Sequence, residues 1–179
     1  MYEYLDRRYA LALYQLAEEK NKVEEFREDL KQVVGIMYSN EELLTLIKYP
    51  QVSISRKKQV FIDIFKDKID KDLLSFLLIL IDKGRILYLK EKEIELEKIY
   101  FEKHNMILAH IKTVIPLEDE ERNILKEKLE KKYKKTIVLE EEIDKTILGG
   151  VFIKIGDDAI DGTLKGRLDE IRKMVLKKE

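Results

Sequence analysis

Three aspartates, Asp157, Asp158 and Asp161, are the residues most able to do chemistry, because gathered carboxylate oxygens are what a hard cation needs. Their setting points elsewhere. Gly156-Asp157-Asp158 is a turn sequence between two short apolar runs, and Asp161 stands where a residue would cap the final helix or its approach. The two histidines, His104 and His110, are six apart, which is neither helical ligand spacing nor a zinc pattern. Gly162-Thr163-Leu164-Lys165-Gly166-Arg167 sets basic residues among glycines, without the spacing of a phosphate-binding loop or a long buried strand before it. Cysteine is absent, which removes disulfides, thiolate nucleophiles and cysteine-based metal sites. No convergent set of titratable groups emerges, so no catalytic residue, metal or cofactor is expected.

The elements that carry these residues are mostly helical. Residues 3–20 and 22–38 read as two helices meeting near Asn21, the second with Val23, Phe26, Leu30, Val33, Val34 and Met37 at helical spacing. Ser39-Asn40 breaks the pattern, and Glu41 to Lys48 gives a short helix ending before Pro50. Ser53 or Ser55 caps the next helix, and Asp70 or Asp72 opens the apolar stretch that stops at Lys83-Gly84. Gly84 stands where a left-handed C-terminal cap belongs. A longer helix is expected from Ile86 to His104.

The period then changes to two. Ile107, Ala109, Ile111, Thr113 and Ile115 alternate with Leu108, His110, Lys112 and Val114, which predicts a strand closed by Pro116. Glu118 to Lys135 opens with acids and closes with lysines, as a helix dipole favours. Further strands are expected at 136–139, 151–155 and 159–161, with Glu140-Glu141-Glu142 as a solvated strand end. A last helix from Thr163 to Leu176 places Leu164, Leu168, Ile171 and Val175 on one face. The fold class is mostly α: a six-helix bundle over residues 1–105 followed by a small α/β domain over 106–179.

Charge excludes one class of partner. Of the 35 basic and 36 acidic residues, 19 and 20 fall in residues 1–105 and 16 of each in 106–179. Neither half has the excess that binds phosphate backbones, so nucleic acid is not an expected partner. The N-terminal residues lack the basic and apolar regions of a secretory signal, and the most apolar run, Leu73 to Ile81, is about half a membrane span.

Two helices carry more apolar surface than a core requires. On the first, Leu5, Tyr9, Ala12, Leu13 and Leu16 form one stripe, and Ala10, Tyr14 and Ala17 widen it to roughly 200°, about twice the usual arc. On the fifth, eight of the nine residues from Leu73 to Ile81 are apolar. Leu73, Leu74, Leu77, Leu78, Leu80 and Ile81 make a broad face, with Phe76 and Ile79 on the other side. Both helices could be central and covered all round. Alternatively they lie side by side and leave an apolar groove for a partner's amphipathic helix.

The same segments carry a resemblance. Tyr9-Ala10-Leu11-Ala12-Leu13-Tyr14-Gln15-Leu16-Ala17, the Gly84-Arg85 segment after Leu78-Ile79-Leu80-Ile81, Ile147-Leu148-Gly149-Gly150-Val151, and Ile160-Asp161-Gly162-Thr163-Leu164-Lys165-Gly166-Arg167-Leu168 occur in order over the whole chain. Together they resemble the delta-subunit (oligomycin-sensitivity-conferring) family of F-type ATP synthases, which more often has Ser at the position of Thr163. The resemblance implies a non-catalytic stator subunit of the peripheral stalk; with no transit peptide evident, the expected place is the cytoplasmic face of a bacterial plasma membrane, peripheral and without a membrane segment of its own. It implies that the first and fifth helices receive the N-terminal helix of an alpha subunit, through Tyr9, Ala12 and Ile79, with Phe76 and Leu16 as further contacts. The C-terminal part is then expected to meet the C-terminal region of the b subunits, and Gly149, Gly150 and Gly162 to serve the backbone. A helical adaptor of another assembly would share the architecture without the stalk role.

Overall fold

The computed structural model describes residues 2–176, and the side chains of residues 4–169 and of Arg172. The chain is mostly helical with a small four-stranded sheet in its C-terminal part. It divides into two compact units, one up to Tyr100 and one from Phe101.

In the first unit α1 (Tyr2–Glu19) and α2 (Val23–Ser39) are separated by Asn21, whose φ of 55° turns the chain. The Asn40 side chain accepts a 2.9 Å hydrogen bond from the Leu43 N–H and so starts α3 (Glu41–Lys48). Of the two candidate serines, Ser53 caps α4 (Ile54–Phe65), accepting from the Arg56 N–H at 3.2 Å. Asp70 rather than Asp72 caps α5 (Lys71–Asp82), accepting from the Asp72 N–H at 2.9 Å. At the other end of α5 the Arg85 N–H donates to the Leu80 carbonyl and the Gly84 N–H to that of Ile81, at 2.8 and 3.0 Å. This double closure needs a left-handed residue, which Gly84 supplies with φ of 65°.

The expected single helix from Ile86 to His104 is instead a 3₁₀ turn, Ile86–Tyr88, followed by α6 (Leu89–Lys103). Asn105, with φ of 52°, ends the helical run. The core of this unit holds Leu13, Tyr14, Phe26, Leu30, Phe61, Phe65, Leu73, Leu77, Leu80 and Leu89, all almost fully buried. Each contributes roughly 1.5–3 kcal/mol of burial, an upper bound because the unfolded chain already hides some surface.

In the second unit β1 (Met106–Thr113) and β2 (Thr136–Ile143) are parallel, joined through α7 (Asp119–Tyr133), with Met106 opposite Thr136 and Thr113 opposite Ile143. β3 (Val151–Ile155) runs antiparallel to β1, and β4 (Asp158–Asp161) antiparallel to β3, giving the order β2-β1-β3-β4. Leu125, Leu129 and Tyr133 of α7 pack with Ala109, Ile137, Ile153 and Ile155 of the sheet. Strand alternation in β1 is as the period of two requires: Ala109, Ile111 and Thr113 point inward and His110 outward.

Two strands end elsewhere than expected. β1 stops at Thr113, leaving Ile115 outside it and 72% exposed. β2 continues through Glu140-Glu141-Glu142, because Glu141 faces inward and finds donors. Its carboxylate accepts from the Leu117 N–H (2.7 Å), the Arg122 guanidinium (2.9 Å) and the Thr113 hydroxyl (3.3 Å). The last helix, α8 (Leu164–Leu176), opens at Thr163, whose hydroxyl accepts from the Gly166 N–H at 3.0 Å. Leu164 and Leu168 are exposed, while the side chains of Ile171 and Val175, expected on the same face, lie outside the described residues.

Candidate docking surface on the first and fifth helices

The wide apolar arc of α1 resolves into two edges. Ala10, Leu13, Tyr14 and Ala17 are at most 2% exposed and belong to the core. Tyr9 and Leu16 are half-buried and Ala12 is exposed. On α5, Leu73, Leu77, Leu80 and Ile81 face the core; Phe76 is half-buried and Ile79 is 49% exposed. The open edge of each helix is therefore the one carrying the expected contact residues.

Side-chain contacts hold these edges together. The Tyr9 and Phe76 rings meet edge-on, with centroids 6.3 Å apart and planes at 68°. The Arg85 guanidinium donates to the Tyr9 hydroxyl at 2.5 Å and lies 5.4 Å from its ring centre. At the opposite end of α1, Lys20 forms an ion pair with Asp72. The two helices therefore run antiparallel, and Tyr9, Ala12, Leu16, Phe76 and Ile79 share an apolar strip along them.

Below this strip, Lys92 of α6 fixes α1. Its ammonium, 2% exposed, donates to the Asp6 carboxylate at 2.7 Å and to the Tyr88 carbonyl at 3.0 Å, and lies 5.7 Å from the Tyr9 ring centre. Sequence reasoning passed over this pair. The signal was present: Lys92 interrupts the apolar series Leu89, Leu96 and Ile99 at core spacing, where a lysine needs a buried partner. Arg85 and Lys83 were likewise missed as contributors to the surface.

The residues with chemical potential have structural partners. The Asp161 carboxylate accepts from the Thr163 hydroxyl (2.7 Å) and N–H (2.9 Å), and these bonds hold it below the usual carboxylate range. Asp158 accepts from the Tyr133 hydroxyl at 3.1 Å. Among the described residues, no group of three or more His, Asp or Glu side chains is placed to hold a metal ion. His110 pairs with Glu140 across β1 and β2 at 2.7 Å, while His104 follows α6. Gly150, with φ of 83°, lies against Gly162 and Thr163; a side-chain carbon there would overlap the Gly162 carbonyl and come within 2.9 Å of the Thr163 Cα. A carbon added at Gly162 would sit 3.0 Å from the Val151 carbonyl, and one added at Gly149 would sit 2.9 Å from a Leu164 methyl.

No described helix is long and apolar enough to cross a membrane. The pattern that defines the family "ATP synthase delta (OSCP) subunit" matches residues 5–175. Over its full 179 residues the chain is 63% identical to the whole of the ATP synthase subunit delta of Clostridium botulinum strain Loch Maree. It is 57% identical, again end to end, to that of Clostridium perfringens strain SM101. In fold it is similar to a chain of the mitochondrial ATP synthase hexamer of Toxoplasma gondii, with a TM-score of 0.71 and 20% identity over 96% of this chain and 97% of that one. By this match and these identities the chain belongs to the ATP synthase delta (OSCP) subunit family, the non-catalytic structural subunits of the enzyme's peripheral stalk.

Proposed function

We infer that the first unit binds the catalytic head and the second the stalk, so that the chain links an alpha subunit to the b subunits and keeps the head from turning with the rotor. Torque then does conformational work at catalytic sites elsewhere. The observation that carries this reading is the strip on α1 and α5: Ile79 and Ala12 are exposed beside half-buried Tyr9, Leu16 and Phe76, between helices already satisfied on their core sides. An amphipathic helix, the N-terminal helix of alpha, fits such a strip by burying its own apolar stripe there. The unit up to Tyr100 forms the head-binding part, and the unit from Phe101, rather than from the expected residue 106, the part that meets the C-terminal region of b. Exposed Leu164 and Leu168 on α8 offer apolar contact for the latter. The clostridial relatives favour the cytoplasmic face of a bacterial plasma membrane, held there through partners without insertion.

The absence of cysteine makes a direct test simple, since one introduced thiol is unique in the chain. In the assembled complex, an Ile79→Cys variant carrying a short photo-cross-linker is expected to join the N-terminal segment of alpha, and a Leu168→Cys variant to join b. Cross-links from Ile79→Cys to any other subunit, or none, would remove the assignment.

A further inference from the structure

Charge is distributed unequally along the strip. At the end formed by the last turn of α1 and the first of α5, the charges are matched, Lys20 with Asp72. At the other end stand Arg8, Lys83 and Arg85. Among the described residues none of the three forms an ion pair with a carboxylate, Arg8 lies 5.9 Å from the Tyr4 ring centre, and the Arg85 guanidinium engages only Tyr9. The carboxylates on the adjoining turns are already taken, Asp6 by Lys92 and Asp82 by Lys58. Lys83 follows Phe76 and Ile79 at +7 and +4, which at about 100° per residue keeps it on their side of α5. Three uncompensated cations at one end of an apolar strip give that end a focused positive potential.

We propose that this end is a carboxylate clamp that sets the direction of the docked helix: Arg85, oriented by the Tyr9 hydroxyl, receives an acidic side chain of the partner, and Lys83 and Arg8 support it. The proposal rests on the reading that a helix docks on α1 and α5. A guanidinium held by one hydrogen bond keeps most of its donors in a planar fork suited to a carboxylate. The apolar strip supplies affinity without polarity, because an apolar stripe packs in either direction. The clamp distinguishes the two: a reversed helix would carry its acid to Asp72 and leave three cations uncovered.

The test is titration of the full chain with a synthetic peptide of the cognate alpha subunit's N-terminal segment, at low and high salt, together with a peptide whose carboxylates are replaced by amides. Arg85→Gln is expected to weaken binding about tenfold at low salt, equivalent to about 1.4 kcal/mol, with much of the difference lost at high salt. The amide peptide should bind wild type more weakly and lose little more on Arg85→Gln, the mark of coupled groups. Lys83→Gln, at an exposed position, carries the same test in milder form if Arg85→Gln fails to fold. Unchanged binding in the folded variants, with Ile79→Asp still abolishing it, would overturn the clamp and leave the docking surface standing. Unchanged binding in Ile79→Asp as well would overturn the docking reading itself.

Discussion

The ring of Tyr9 on α1 meets the ring of Phe76 on α5 edge-on, with centroids 6.3 Å apart. That contact decides what the rest of α1 does. With Tyr9 committed to the seam, Ala10, Leu13, Tyr14 and Ala17 turn into the core, and Ala12 is left on the open side. An arc too wide for one purpose thus serves two.

The Asp6–Lys92 pair should behave as a buried pair, because Lys92 is 2% and Asp6 11% exposed at the side chain. Lys92→Met leaves Asp6 without its cation, and a loss of about 3–5 kcal/mol is expected in urea unfolding of the chain. Adding Asp6→Leu to Lys92→Met should recover most of that loss, since both charges are then gone. A double variant no more stable than the single would show that the pair is not coupled.

Gly150→Ala should destabilise the second unit. The residue has φ of 83°, and an added carbon would collide with the Gly162 carbonyl. A loss of about 1–3 kcal/mol is expected from the backbone conformation and the collision together. Amide exchange should quicken in β3 and β4 and stay unchanged in α2 and α5. Equal protection in both variant and wild type would contradict the assigned geometry.

Glu141 makes the second unit sensitive to acid. The Leu117 N–H, then the Arg122 guanidinium, hold its carboxyl below the usual glutamate value. A lowered folded-state pKa means that the stabilisation is complete above the unfolded value, about 4.3, and is lost as pH falls through the folded one. Glu141→Gln should therefore lower the melting temperature at neutral pH and flatten its decline below about pH 4 relative to wild type. A parallel decline in both proteins would assign the acid sensitivity to other groups.

How much of this was legible in the sequence depended on how local the cause is. The α3 helix and the end of α5 are set by residues within a turn of each other, Asn40 with Leu43 and Gly84 with Ile81, and could be read directly. Ser53 and Ser55 are separated by too little for pattern to choose between them; hydrogen bonding chose Ser53. The length of β2 escaped because the partners of Glu141 come from β1, from Leu117 and from α7, and meet only when β1 and β2 pair in parallel. Lys92 was visible by its spacing, but its partner lies 86 residues away. For the docking strip, periodicity identified the helices and singled out Ile79. Packing then separated the covered edge of α1 from the open one, which an arc of roughly 200° leaves undetermined.

In the proposed function, the open edges of α1 and α5 hold the N-terminal helix of alpha. The most direct measurement is calorimetric titration of the full chain with that segment, comparing wild type with Ile79→Asp. Ile79 is 49% exposed, so the substitution should change folding stability by only about 0.5 kcal/mol and leave the helical circular dichroism intact. Docking would bury the new carboxylate among apolar groups, and binding should weaken at least about a hundredfold. Wild-type affinity in a folded Ile79→Asp protein would contradict the account, and so would unfolding of the variant, which would place Ile79 in the core.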